Sequence, residues 1–368
     1  MTTQVAAAVL REPGSPVRIE SITLADPGPG QVRVGLIATG VCHSDLSLAR
    51  GTLAQKTPAV LGHEGCGRVR ETGPGVTALH VGDVVVLNWS PACHSCWWCL
   101  NGEPFLCAHG ADGGATAYAH LDDGTAVFPG LGVAAFASQT VVAERACIRI
   151  PDDVDLEEAA LLGCAVLTGV GAVVHAAAVR AGESVVVIGL GGVGLCAVQG
   201  ARIAGADPIV AVDSAPEKAG LARSLGATHS LEPGPDLGKQ VRALTGGRGA
   251  DHAIECVGRA ETIRTAWGLT RRGGHATIVG LGAKTDTLTF NALEIAHFAR
   301  TLRGSMYGNC DPVADVPVLL EHVRSGRLDL AALVTSRISL AGVEDAFATM
   351  SAGQGARSLI VFEGTGSD

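Results

Sequence analysis

Val185-Val186-Val187-Ile188-Gly189-Leu190-Gly191-Gly192-Val193-Gly194 is the stretch that decides how the second half of this chain folds. Four β-branched residues in succession read as a strand buried on both faces. They run directly into G-x-G-x-x-G, and the small residues from Leu195 to Ala204 read as a helix. Each glycine answers a separate demand. Gly189 makes the tight turn, Gly191 lets backbone approach a pyrophosphate, and Gly194 lets the helix pack closely on the strand. Gly192 and Val193 complete a loop whose helix N-terminus offers free N–H groups to phosphates. A glycine pattern alone is weak, but a second strand, Ile209-Val210-Ala211-Val212, follows and ends on Asp213. That carboxylate lies 19 residues past Gly194, near the spacing at which an acid takes a ribose hydroxyl. An acid there, with no arginine directly after it, favours NAD over NADP, because a 2′-phosphate would meet negative charge.

Outward from this loop the same alternation continues. Residues 215–225 read as a helix, and Asp251 to Glu255 and His275 to Val279 read as further strands. Repeated βα units of this kind imply a doubly wound parallel sheet. Towards the N-terminus the period changes. Runs such as Gln31-Val32-Arg33-Val34-Gly35-Leu36 and Val81-Gly82-Asp83-Val84-Val85-Val86 are short and punctuated by Gly and Pro, which indicates a β-rich, barrel-like domain. The expected fold class is therefore α/β, with crossings between the two domains near Ala165 and Met306. That gives a barrel-like domain over residues 1–165 and 307–368 and a dinucleotide-binding domain over 166–306.

Within the β-rich half lies Cys93-x-x-Cys96-x-x-Cys99-x7-Cys107, four cysteines in fifteen residues. Cysteines three apart bring their sulfurs to one side of a tight turn, as a tetrahedral zinc requires. No leader resembling a signal peptide opens the chain, so these thiols are expected to stay reduced rather than pair as disulfides. A site with four cysteine ligands is closed, and its role is structural.

Other metal-binding residue types flank it. Gly40-Val41-Cys42-His43-Ser44-Asp45 and Leu61-Gly62-His63-Glu64-Gly65 lie upstream, and Leu162-Gly163-Cys164 lies downstream. Singly each is ambiguous, since a lone buried Cys behaves as a small hydrophobe and a lone His is usually just hydrogen-bonded. Together Cys42, His63 and Cys164 make a Cys2His set that leaves a fourth position open for water or substrate.

With these three motif groups in this order, the chain resembles the zinc-dependent medium-chain alcohol dehydrogenases. The resemblance runs from Pro27-Gly28-Pro29-Gly30-Gln31-Val32 to Ala356-Arg357-Ser358-Leu359-Ile360-Val361-Phe362. It implies a GroES-like catalytic domain and a Rossmann domain, two zinc ions per chain (one catalytic, one structural), NAD, and a homodimer. The implied reaction is reversible oxidation of a primary aliphatic or aryl alcohol to an aldehyde by hydride transfer. Ser44 then matches the relay hydroxyl that accepts the alcohol proton, and Glu64 stands beside the catalytic zinc. Asp45 would hold a ligand histidine or neighbour in place. Carried over likewise are His43 and Arg357 at the pyrophosphate, Lys218 at the adenosine side, Thr168 facing the nicotinamide, and Trp89 as an aromatic wall of the alcohol pocket.

Two departures matter. Many relatives place a histidine five residues after the first zinc cysteine, where this chain has Ser47. The proton could then leave through cofactor ribose and water, through another base, or slowly; or the cofactor could stay bound and be reoxidised by an external acceptor, as in nicotinoproteins. Relatives acting on glutathione–formaldehyde adducts carry an acid and an arginine where this chain has Leu53 and Ala111, which leaves adducts of mycothiol type open.

Composition narrows the alternatives. With 368 residues the chain is long enough for two domains. A net charge of −9 and the absence of any long basic run argue against nucleic acid. No apolar run reaches a membrane span; the densest, Val166 to Val179, is interrupted by Gly169, Gly171 and His175. A cytoplasmic enzyme acting on a small molecule is the expectation. Of eleven cysteines, six fall in the two metal sets, leaving Cys66, Cys147, Cys196, Cys256 and Cys310. A different class of reading is a zinc-ribbon interaction module regulated by nucleotide; the Cys42, His63 and Cys164 set speaks against it, because a binding module needs no open metal site.

Overall fold

Val185–Ile188 forms the strand its sequence predicts, inside a six-stranded sheet of the computed structural model, which describes residues 3–362. Across the sheet the strands run His229–Leu231, Ile209–Val212, Val185–Ile188, Ala250–Glu255, Thr270–Ile278 and Thr301–Gly304, every neighbouring pair parallel. In chain order this is 3-2-1-4-5-6, the doubly wound arrangement. Val185, Val186 and Val187 are fully buried, as a strand covered on both faces should be, and each contributes about 1.5–3 kcal/mol relative to exposure. Val186, Val210, Val241, Ala253, Ala266 and Ala276 form one core on this sheet.

The unit built on this sheet comprises Ala165–Cys310 and Glu321–Leu333. Its helices approach closely because glycine lines their contacts. A Cβ on Gly200, in the helix Gly192–Ile203, would stand 3.0 Å from Val170 Cα in the helix Ala165–Gly171. The helix expected over 215–225 begins only at Lys218. Asp213 accounts for the delay, since its Oδ1 accepts from Ala215 N at 2.9 Å and holds those residues in a turn.

A second unit takes the chain up to Cys164, Asp311–Leu320, and the chain from Val334 on. Five strands, Thr3–Leu10, Arg18–Leu24, Ala119–Leu121, Ala126–Pro129 and Ala59–Val60, close into a barrel. The long strand Gln31–Val41 lies in a further, seven-stranded sheet and takes three partners: Glu64–Thr72, Gln139–Ala143 and Arg357–Val361. Two registers on that strand matter for function. Gly40 pairs with Glu64 and Val41 pairs with Ser358. Cys42, His63 and Arg357, distant in sequence, are thereby set at one end of one sheet. Among the described residues no single helix is long and apolar enough to cross a membrane.

Candidate active site

The strand Gln31–Val41 stops at Cys42, which caps the helix His43–Ala49. Asp45, the third residue of that helix, turns its carboxylate back. Oδ2 accepts from Cys42 N at 3.1 Å, while Oδ1 accepts from Gly62 N at 2.9 Å and faces His63 Nδ1 at 3.0 Å. Asp45 is fully buried, so these bonds are what makes its charge tolerable. One carboxylate therefore ties Cys42 to the segment that carries Gly62 and His63. Because His63 Nδ1 is committed to Asp45, Nε2 is the free ring face, and it is buried without a hydrogen-bond partner.

Donor atoms of Cys42, His63, Glu64 and Cys164 gather around that nitrogen, all within 4.8 Å of one another and all buried. Cys164 reaches the group from a tight turn, Ala160–Gly163, where a Cβ on Gly163 would press to 2.7 Å from Leu87 O. The Cys42 thiol is pulled well below its ordinary range by Cys164 against the effect of burial, with Arg357 and His63 assisting, and Cys164 is raised in turn. Burial disfavours a charged His63, but the Asp45 carboxylate and the Cys42 sulfur together outweigh it and raise the imidazole well above its ordinary value. Two sulfurs, one orphaned imidazole nitrogen and a carboxylate are the donor chemistry of zinc, so the residues present fit that ion.

Glu64 introduces a contact that sequence reading missed. Its Oε1 lies 3.2 Å from Nη2 of Arg357, which is itself buried and donates from Nη1 to Val41 O at 3.0 Å. Burial pushes Glu64 up to about 7 against the pull of Arg357. Room for this carboxylate exists because residue 40 is glycine; a Cβ there would overlap Glu64 Oε2. Nothing local in the sequence signals the pair, which depends on the strand register.

Around the cluster, Ser44 Oγ lies 3.9 Å from Cys42 Sγ, and Trp89 meets His63 edge to face with ring centroids 6.2 Å apart. His43 is exposed at the start of its helix, and Ser47 is half-buried. The sulfurs of Cys93, Cys96, Cys99 and Cys107 form a separate group, also within 4.8 Å of one another. Three backbone amides point at two of them: Cys93 N at Cys107 Sγ (3.2 Å), Cys96 N at Cys93 Sγ (3.3 Å) and His109 N at Cys107 Sγ (3.4 Å). Such donors stabilise thiolates. This set also fits zinc, with every position filled by sulfur.

In the parallel-sheet unit the glycine loop has the shape its sequence demands. Gly189 sits at φ +88°, and a Cβ on Gly194 would overlap Gly189 O. At Gly191, which caps the helix Gly192–Ile203, a Cβ would point into open space, so its backbone is accessible to a ligand. Asp213 leans towards the loop, Oδ2 accepting from Leu190 N at 2.6 Å, with Lys218 Nζ 3.7 Å from the same oxygen. Gly192 and Val193 open the helix, and Thr168 lies half-buried on the helix Ala165–Gly171. The loop and its acid fit a dinucleotide.

Comparison with known proteins agrees with this chemistry. Residues 28–152 match the alcohol dehydrogenase GroES-like domain family, and residues 192–325 match the zinc-binding dehydrogenase family. An NDMA-dependent alcohol dehydrogenase of Amycolatopsis methanolica is 35% identical over 370 residues, covering 96% of this chain and 98% of that protein. An S-(hydroxymethyl)glutathione dehydrogenase of Paracoccus denitrificans is 33% identical over 375 residues, covering 97% and 99%. The crystal structure of benzyl alcohol dehydrogenase from Acinetobacter calcoaceticus superposes with a TM-score of 0.91 at 28% identity, covering 98% of this chain and 99% of that one. A buried Cys2His cluster stapled by one aspartate, a four-sulfur lobe and a G-x-G-x-x-G loop thus share a chain with whole-length relatives, and this protein belongs to the zinc-dependent medium-chain alcohol dehydrogenase family.

Proposed function

We propose that this chain oxidises primary aliphatic or aryl alcohols to aldehydes, reversibly, with NAD as the hydride acceptor. The observation that carries the reading is the buried Cys42, His63 and Cys164 group with its orphaned His63 Nε2. These three residues, with Glu64 beside them, would hold one zinc ion, and Cys93, Cys96, Cys99 and Cys107 a second. Zinc at the first set supplies Lewis acidity towards an alcohol oxygen, and NAD supplies the hydride acceptor.

The remaining work falls to the protein's own side chains. Asp45 keeps His63 in the tautomer whose Nε2 faces the cluster. Ser44 Oγ, next to Cys42, accepts the alcohol proton and passes it on. Arg357 holds Glu64 by charge, so the carboxylate stays at the edge of the cluster. Trp89 walls the alcohol pocket with an apolar face, which suits an aryl or alkyl substituent. On the loop, Gly189, Gly191, Gly192, Val193 and Gly194 would hold the pyrophosphate of NAD, and Asp213, with Lys218 beside it, would hold the ribose. His43 and Arg357 are assigned to the phosphates and Thr168 to the nicotinamide, each by family position.

Two observations favour a second reading. Ser47 stands where many relatives have a histidine for proton exit, and a relative of similar identity is NDMA-dependent. A permanently held NAD reoxidised by an external acceptor accommodates both. Against a glutathione adduct as substrate, Leu53 packs on the barrel core, where relatives would need an acid. A homodimer in the cytoplasm is the proposed state, resting on family resemblance and on thiol sets that must stay reduced.

The test is zinc per chain by elemental analysis, combined with absorbance at the NADH band using benzyl alcohol and NAD. Two ions with NADH formation are expected. Two ions with turnover only when an artificial acceptor is added would move the assignment to the bound-cofactor form. One ion without turnover in either case would overturn the Cys42, His63 and Cys164 assignment.

A further inference from the structure

One face of the parallel sheet carries a row of ionisable side chains that the reaction does not use. His252, on the strand Ala250–Glu255, is in register with His275 on the strand Thr270–Ile278. Their rings stack with centroids 5.3 Å apart at 27°. On one side of the stack, His252 Nε2 lies 2.9 Å from Glu183 Oε2. On the other side stands the edge strand Thr301–Gly304, whose Thr301 is in register with His275. Arg303, two residues on and therefore on the same face, brings Nη2 to 3.3 Å from His275 Nδ1. Its Nη1 donates to Ala176 O at 2.7 Å, at the end of the helical turn Ala172–Ala176. Arg303 therefore clips the edge strand both to its neighbour and to the helix above the sheet.

The chemistry of that clip is one-directional. A guanidinium has only donors, so it bonds to His275 Nδ1 only while that nitrogen is a bare acceptor. The contact is a hydrogen bond only when His275 is neutral, with its proton on Nε2. A protonated His275 would set N–H against N–H and place two cations in contact. Burial, Arg303, His252 and Arg271 all resist that proton and hold His275 below the ordinary imidazole range, and Glu183 alone favours it. Within the chain the strand at stake has four residues and pairs on one side only.

We propose that the His275–Arg303 contact is an acid-release latch, which fixes the edge strand Thr301–Gly304 while His275 is neutral and frees it when His275 takes a proton. The sign follows from linkage. Above the ordinary imidazole pKa both folded and unfolded chains carry a neutral histidine, and the latch contributes in full. As pH falls through that range the opened form takes the proton first, so the latch weakens, levelling off below the lower value of the folded form.

Amide hydrogen exchange on the zinc-loaded full chain tests this, with rates corrected for the intrinsic effect of pH. Between about pH 7.5 and about pH 5, protection across 301–304 should fall roughly tenfold in the wild type, the equivalent of one hydrogen bond. His275→Gln keeps a carbonyl acceptor that never protonates, so its protection should change less than about twofold over the same range. Arg303→Met removes the clip and should show low protection that is flat with pH, which keeps the test decisive if His275→Gln fails to fold. An unchanged wild-type profile, or the same acid loss in either variant, would overturn the latch.

Discussion

The two cysteine-rich groups of this protein are built in opposite ways. Cys93, Cys96, Cys99 and Cys107 come from one short stretch, stay half-buried, and are turned by local geometry, with backbone amides aimed at their sulfurs. None of the residues in the helix Trp97–Leu100 between them is buried, and Trp97 is 64% exposed. Apolar burial therefore cannot hold this lobe, and a metal can. The Cys42, His63, Glu64 and Cys164 group is assembled from three distant segments, is wholly buried, and is positioned by hydrogen bonds and charge from Asp45 and Arg357. In the first group an ion would take the place of a core; in the second, buried polar partners hold the donors that an ion would use. That difference is what separates a structural site from one whose open position can be used.

Removing a ligand from the organised group should break the comparison most severely. His63→Ala deletes the nitrogen whose free face defines the cluster and leaves the Asp45 carboxylate buried without its imidazole. Loss of the Lewis acid costs several kcal/mol of charge stabilisation, so kcat/KM should fall by about a thousandfold or more. Zinc analysis should show one ion retained, the one in the lobe. Retention of both ions with full activity would remove His63 from the site.

Asp45→Asn is a finer cut, because it leaves every donor in place and alters only what orients them. The amide can still accept from Cys42 N or Gly62 N, but it no longer carries the charge that His63 Nδ1 faces. Outer partners of this kind are worth about 10–100-fold in metal affinity or activity. Equilibrium dialysis against a chelator should show the buried site weakened by that factor and the lobe unchanged. An equal loss at both sites would mean that Asp45 acts through overall stability.

How far the sequence disclosed this arrangement follows from the same contrast. The four-sulfur lobe and the glycine loop were legible because each is a local pattern, with all its determinants inside one turn or one strand-turn-helix. Cys42, His63 and Cys164 were legible as residues but not as a geometry, since the pairing of Gly40 with Glu64 joins the first two and a separate turn delivers the third. Arg357 shows the limit most clearly. Its guanidinium lies on Glu64 and Val41 O because Ser358 pairs with Val41, a pair of contacts that its place in the sequence does not announce. Strand register across hundreds of residues has no local signature, so neither that pair nor the need for glycine at position 40 could be read beforehand.

The smallest effect on catalysis should come from the lobe, and it sharpens the comparison by inverting its readout. Cys99→Ser removes one of four sulfurs from a group that leaves no position open for substrate. Chemistry at the buried cluster would then continue, with kcat/KM at about 25 °C changing less than about twofold if the sites are independent. Stability should suffer instead, because metal binding is folding energy for a lobe without its own core, and each kcal/mol lost lowers Tm by about 2–4 °C. Calorimetry beside steady-state kinetics on the same sample separates the two quantities. A large drop in kcat/KM with an unchanged Tm would show that the four-sulfur lobe takes part in the reaction, and the division between an ion that organises and an ion that reacts would fall.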